Sequence, residues 1–229
     1  MAKSPSSATA KPKAAAKPKP KAAPKAAPKA KAEPVAEPAT GVAKADLAQP
    51  NMAALEKGLA NLTKHIENVG KFGLPAVVAI NAFPTDTREE LKFVEEKCLA
   101  LGAEVALSEV WAKGGAGGEA LAKKVLAATE KASKFRFLYD EKLPIKNKID
   151  TIAREIYGAD GVSYTPAADK TIAELTALGF DKTPVCMAKT QYSLSDDATR
   201  IGRPTGFTVT VREVRVSAGA GFLVAITGE

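Results

Sequence analysis

The chain has 229 residues, 45% of them hydrophobic and 26% charged, with a formal net charge of +7. Two cysteines, one histidine and no apolar run near the roughly 18 residues that span a bilayer argue against a disulfide framework, a histidine-built metal site and a membrane-crossing helix. The charge excess sits in one place: residues 1–40 carry nine lysines against Glu33 and Glu37, while the remaining residues balance at 24 basic and 24 acidic groups. That remainder therefore has no basic character of the kind that marks a nucleic-acid-binding fold.

Residues 1–40 hold 8 of the 15 prolines and 14 alanines, and almost nothing that can be buried. Frequent proline removes backbone donors and blocks helix, so a disordered, solvated tail is expected. Its KPK and AAPKAAPK units look like linker-histone tails. One reading is a passive, solubilising extension or the relic of a gene fusion. The other is a lysine arm that binds nucleic acid or an acidic partner in a salt-dependent way. The opening MAKSPSSATA has no apolar signal region, which points to a cytoplasmic protein; an organelle transit peptide is the weaker alternative, because such peptides favour arginine and amphipathic spacing.

From Met52 the pattern turns helical. Met52, Leu55, Leu59, Leu62, Ile66 and Val69 recur at spacings of three and four, bounded by Pro50 and Asn51 before and Gly70 after. His65 flanks this stripe and reads as exposed or edge-packed. Residues 74–80 form a short apolar run that suits a strand covered on both faces. Thr87-Arg88-Glu89-Glu90 is a capping box opening a second helix, with Leu91, Val94, Cys98 and Leu101 on its buried side and Gly102 as its stop. Val105-Ala106-Leu107 is a second buried strand. Strand, helix and strand in this span make a βαβ unit with a right-handed crossover.

Gly114–Gly118 reads as a flexible loop before a helix over 119–133. A helix over 143–157, an extended piece Gly161–Tyr164, a helix over 167–178 ended by Gly179, and a buried strand Val185–Ala188 follow. Phe207, Val209 and Val211 alternate with threonines, and Val214 and Val216 resume after a one-residue slip, which predicts a bulge at Arg212-Glu213. A glycine-rich turn then leads into Phe222 and an antiparallel hairpin. Cys98 and Cys186 both lie in apolar patterns and read as buried thiols. The expected organisation is a tail over 1–40, a βαβ domain over 41–140 and a smaller α+β domain over 141–229.

In open α/β sheets, ligands gather outside the carboxyl ends of parallel strands. Each strand of the βαβ unit delivers an aromatic ring to that edge, within a loop in both cases: Phe83 after the first, and Trp111, the chain's single tryptophan, after the second. Two flat rings at one crevice can clamp a flat heterocycle by offset stacking. The alternative is that both rings merely cover the sheet edge. No GxxxxGK[ST] motif occurs anywhere, and the dense glycine cluster is followed by Glu119 rather than by Lys and Ser or Thr, so it does not read as a phosphate cradle.

These residues also carry a family resemblance. From about Gly41 to Glu229 the chain resembles formate–tetrahydrofolate ligase, also called formyltetrahydrofolate synthetase. The blocks that carry it are ALEKGLANLTKHIENV, VVAINAFPTDT, EVALSEVWAKGG, IAREIYGADGV, VCMAKTQYSLSDD and GRPTGFTVTVREVRVSAGAGF. The resemblance implies an α/β fold with a core related to P-loop proteins. It implies synthesis of 10-formyltetrahydrofolate from formate, tetrahydrofolate and ATP with Mg, through formyl phosphate. It further implies that Phe83 and Trp111 sandwich the pterin with Leu107 lining the same pocket, and that Lys189, Gln191 and Tyr192 face the nucleotide region; for Gln191 and Tyr192 simple loop anchoring is the alternative. The family's phosphate loop, the basic residues that hold formyl phosphate and its final apolar segment have no counterpart in these residues. A chain lacking those groups is expected not to catalyse the reaction alone, and to act with a separate ATP-side half or as a homo-oligomer, or else as a non-catalytic scaffold with a basic tail.

Overall fold

A computed structural model describes residues 42–43 and 46–228; the reading of residues 1–40 as a tail lies outside them. Helix α1, Met52–Lys71, opens where Asn51 accepts the backbone N–H of Ala54 at 3.0 Å. Strand β1, Val77–Asn81, leads to helix α2, Arg88–Ala100, and strand β2, Glu104–Ser108, runs parallel to β1 with Asn81 opposite Ser108. The capping box is present: Thr87 and Glu90 exchange both bonds, and Glu90 also accepts the N–H of Asn51 at 2.9 Å, which ties the starts of α1 and α2 together.

Leu62 and Ile66 of α1, Val94 and Cys98 of α2, and Val78, Ile80 and Val105 of the strands form one apolar cluster. This is why the three- and four-residue spacing of α1 was readable: it buries a single stripe. The stripe frays at its end, where Val69 is exposed. The expectation that the first strand is covered on both faces is not met. Ala79 and Asn81 are exposed: among the described residues, helix α4, Glu119–Thr129, packs mainly along β2 and less along β1. Helix α4 also stops short of residue 133.

The second half builds a four-stranded mixed sheet in the order β3-β5-β6-β4, from Gly161–Tyr164, Thr208–Ser217, Phe222–Thr227 and Val185–Ala188. The hairpin β5–β6 is antiparallel, with the register slip between Val211 and Glu213 that the alternation predicted. The outer strands β3 and β4 each run parallel to their hairpin neighbour; helix α5, Ile145–Ile152, precedes β3, and helix α6, Pro166–Ala177, connects β3 to β4. Ile145, Ile149, Ile172 and Leu175 of these helices pack on Val211, Val214, Leu223 and Ala225. Cys98 is buried as expected, but Cys186 is exposed, because its side chain leaves β4 on the face opposite Val185.

The helix expected over 143–157 is an α-helix only to Ile152; Ala153–Tyr157 widens into a π turn that Gly158 ends at φ 78°. Such a turn leaves carbonyls without partners in the helix. Helix α1 supplies them: Lys64 Nζ donates to Glu155 O at 2.8 Å and Asn68 Nδ2 to Ile156 O at 2.9 Å. Glu67 accepts from both terminal guanidinium nitrogens of Arg203 at 2.8 Å, and Asn61 donates to Gly202 O at 2.8 Å. Helix α1 thus has two working faces, an apolar one toward α2 and a polar one toward the π turn and the loop at Gly202 and Arg203, and ties the two halves together.

Candidate functional site

The parallel register of β1 and β2 brings their carboxyl ends level, and the chain leaves each end into a tight structure. After β1, Ala82 N–H donates to Ser108 O at 3.0 Å, which keeps the exit of β1 against β2. Phe83 then opens a turn closed on both sides: its N–H donates to Asp86 Oδ2 at 2.8 Å, and Asp86 N–H returns to Phe83 O at 3.0 Å. After β2, Trp111 lies not in a loop, as its position suggested, but on a single helical turn α3, Val110–Lys113. Lys113 and Glu109 pair at 2.7 Å across that turn, the spacing one helical turn provides.

The glycine cluster that reads as flexible is instead a 3-10 turn, Gly114–Gly118, folded back on α3. Glu109 N–H donates to Gly117 O at 3.0 Å, and a Cβ on Gly117 would stand 2.5 Å from the carbonyl carbon and oxygen of Glu109. Only a residue without a side chain permits this approach. Gly117→Ala is therefore expected to dislodge α3, cost about 1–3 kcal/mol of stability as overpacking does, and shift the emission of Trp111. Chemical denaturation followed by that emission checks both effects.

The outcome of these constraints is that Phe83 and Trp111 meet face to face, with ring centroids 6.2 Å apart and planes 28° from parallel. The indole N–H donates to Ala82 O at 3.1 Å, so Trp111 is pinned by the loop that carries its partner. Both rings remain open to solvent, Phe83 at 51% and Trp111 at 58% exposed, in the class of group that proteins normally bury. A planar ligand between the rings requires them to part, and the exposed Phe83 ring has room to turn.

Leu107 is exposed on the same face of β2 as Val105 and lines a groove against α2 with Ile80, Arg88, Leu91 and Glu95. It stands on the strand that carries Trp111 to the edge, one element upstream of the ring pair. Lys189, Gln191 and Tyr192 are also together, along a cleft of about 360 Å³ that includes Asn61, His65 and Tyr157. The ammonium of Lys189 is turned inward. It donates to Thr190 O at 2.7 Å and to Ser193 O, and lies 5.2 Å from the centre of the Tyr157 ring. Burial holds its pKa below the ordinary lysine range, against the opposing pull of Asp196, and burial pushes Tyr157 up to about 12. Tyr192 N–H is anchored on Thr190 Oγ1 at 3.3 Å. The charge of Lys189 is thus engaged by carbonyls and an aromatic face. Among the described residues, no three His, Cys, Asp or Glu side chains gather as metal ligands would.

Sequence reasoning missed the supports of the ring pair, Asp86 and Gly117. A signal for Asp86 was available: it stands three residues after Phe83, immediately before the capping threonine of α2, where aspartate closes turns.

The fold and this edge define a class: an α/β protein that presents a solvated aromatic pair at the carboxyl ends of adjacent parallel strands, the usual place for a flat ligand. The sequence model for formate–tetrahydrofolate ligase matches residues 32–229, and the chain belongs to that family. It is thereby related to ligases that act on formate and tetrahydrofolate.

Proposed function

We propose that this chain is a folate-binding segment of the formate–tetrahydrofolate ligase type, with Phe83 and Trp111 gripping the pteridine and Leu107 extending the apolar wall. One observation supports it above the rest: the two rings stack at 6.2 Å and yet are more than half exposed, next to the ends of parallel strands. A pair that only covered the sheet edge would gain most by burial, and this pair forgoes it. The βαβ unit is read as part of a core related to P-loop proteins, and residues 41–140 and 141–229 as its folate-side and carboxyl-terminal portions.

Formyl transfer by this family's reaction consumes ATP with Mg, and phosphoryl chemistry needs donors and metal set against developing negative charge. The 229 residues contain no GxxxxGK[ST], and Lys189 is committed to its loop. The purified chain is therefore expected to bind tetrahydrofolate without making 10-formyltetrahydrofolate, and to need a partner that brings the phosphate site. With a single tryptophan, at the site itself, the first half of this reading is tested by quenching of indole emission on adding tetrahydrofolate. The second is tested by product formation from formate, tetrahydrofolate and Mg-ATP. An unchanged emission at saturating ligand overturns the clamp; robust turnover by the chain alone overturns the division of labour. The nine lysines of residues 1–40 favour a second reading for that segment, an arm for nucleic acid or an acidic surface. Capture that survives high salt would rule it out.

A further inference from the structure

We infer that Asp86 is the positioning residue of the aromatic clamp: it sets the place of Phe83 and thereby the gap into which a planar ligand enters. The inference rests on the folate reading above and goes beyond it by assigning a role to a residue that touches neither ring face. Two hydrogen bonds join Asp86 to Phe83, one from each backbone to the other residue: Phe83 N–H to Asp86 Oδ2 at 2.8 Å, and Asp86 N–H to Phe83 O at 3.0 Å. Together they close the four-residue turn 83–86 and fix the backbone at the root of the exposed ring.

The turn is in turn built into the start of α2. Asp86 directly precedes Thr87, whose side chain caps the helix, and Glu90 fastens the cap and α1 together. The jaw that carries Phe83 is therefore mounted on a helix end, while the Trp111 jaw is held by α3 and by the bond from its indole to Ala82 O. Both mounts converge on residues 82–86, so one carboxylate governs how the rings face each other. With the backbone held, only the side-chain torsions of Phe83 need move to admit a ligand. Without it, the ring must be ordered anew at each binding event, and that entropy is charged against affinity.

What the turn requires of residue 86 is an acceptor oxygen, not a charge. The test compares tetrahydrofolate binding, by quenching of Trp111, in the parent chain, Asp86→Asn, Asp86→Ala, and both substitutions in a Phe83→Ala background. Asp86→Ala is expected to weaken binding on the order of tenfold, and Asp86→Asn, which keeps the acceptor, to stay within about twofold of the parent. In the Phe83→Ala background Asp86→Ala should add nothing, since its effect runs through Phe83. Equal affinity of Asp86→Ala and parent overturns the inference while leaving the clamp intact. So does loss in Asp86→Asn equal to that in Asp86→Ala, which would assign the carboxylate a charge-dependent contact with the ligand, and so does a further loss in the Phe83→Ala background. Absence of quenching in the parent removes the folate reading itself, and the inference with it.

Discussion

Replacing Lys148 by alanine is expected to be the most destabilising single change in the folded part of this protein. Lys148 is fully buried, on the same face of α5 as Ile145 and Ile149. Its ammonium donates to Asp181 O at 2.7 Å and Thr183 O at 3.0 Å, closing the turn between α6 and β4 against α5. Truncation removes three buried methylenes, about 2.4 kcal/mol at about 0.8 per group, and strips two carbonyls of their donor at about 1–3 kcal/mol each. The buried charge it also removes offsets part of this. A net loss of about 3–5 kcal/mol follows, which for a chain of this size lowers Tm on the order of 10 °C. Lys148→Met, which keeps the stem and loses only the bonds, should lose roughly half as much.

The same side chain has a pH signature. Burial lowers the Lys148 pKa, with Asp181 as the largest opposing influence. A lowered lysine value means that the unfolded chain binds its proton more tightly than the folded one. Stability from this group is thus fully present above the ordinary lysine value of about 10.4, and is lost as pH falls through the lowered value. The difference in stability between parent and Lys148→Met, measured by denaturation from pH 8 to pH 10.5, should accordingly grow toward alkaline pH. A flat difference would show that the ammonium is as well solvated by its carbonyls as by water.

Phe83→Ala is expected to have the largest effect on ligand binding. Stacking of a planar heterocycle on one aromatic face contributes about 1–3 kcal/mol, so tetrahydrofolate affinity should fall by a factor of roughly 5 to 150, with Trp111 still present to report it. Trp111→Ala should lose as much again by calorimetry, and more if α3 unwinds when its bond to Ala82 O is gone. Neither ring is packed in an interior cluster, and both are exposed, so thermal stability should change little. Loss of affinity without loss of fold is the pattern that separates a ligand clamp from an edge cover. A large fall in Tm with unchanged affinity would favour the edge cover.

Much of the fold was legible in the chain because local rules and tertiary packing agree there. The α1 stripe, the capping box at Thr87, the stops at Gly102 and Gly179, strands Gly161–Tyr164 and Val185–Ala188, and the slip in β5 all appear where periodicity and turn chemistry put them. The aromatic pair was legible for a related reason. Two parallel strands end level, and the residues just beyond them share an edge. Nothing local, however, determined that the rings would lie 6.2 Å apart with the indole pinned to Ala82 O.

By itself, then, the sequence determined the succession of elements, the βαβ unit, the family and the two rings, since each depends on neighbours within a few residues or on a strand's direction. Only the tertiary structure decided which polar groups go inside. Lys64, Asn68 and Lys148 are buried where carbonyls remote in sequence, at Glu155, Ile156, Asp181 and Thr183, end their turns beside them and accept their bonds. It also decided that the glycine run is rigid rather than loose and that Lys189 faces inward. Those outcomes follow from satisfying backbone groups across distances that no hydrophobic period records.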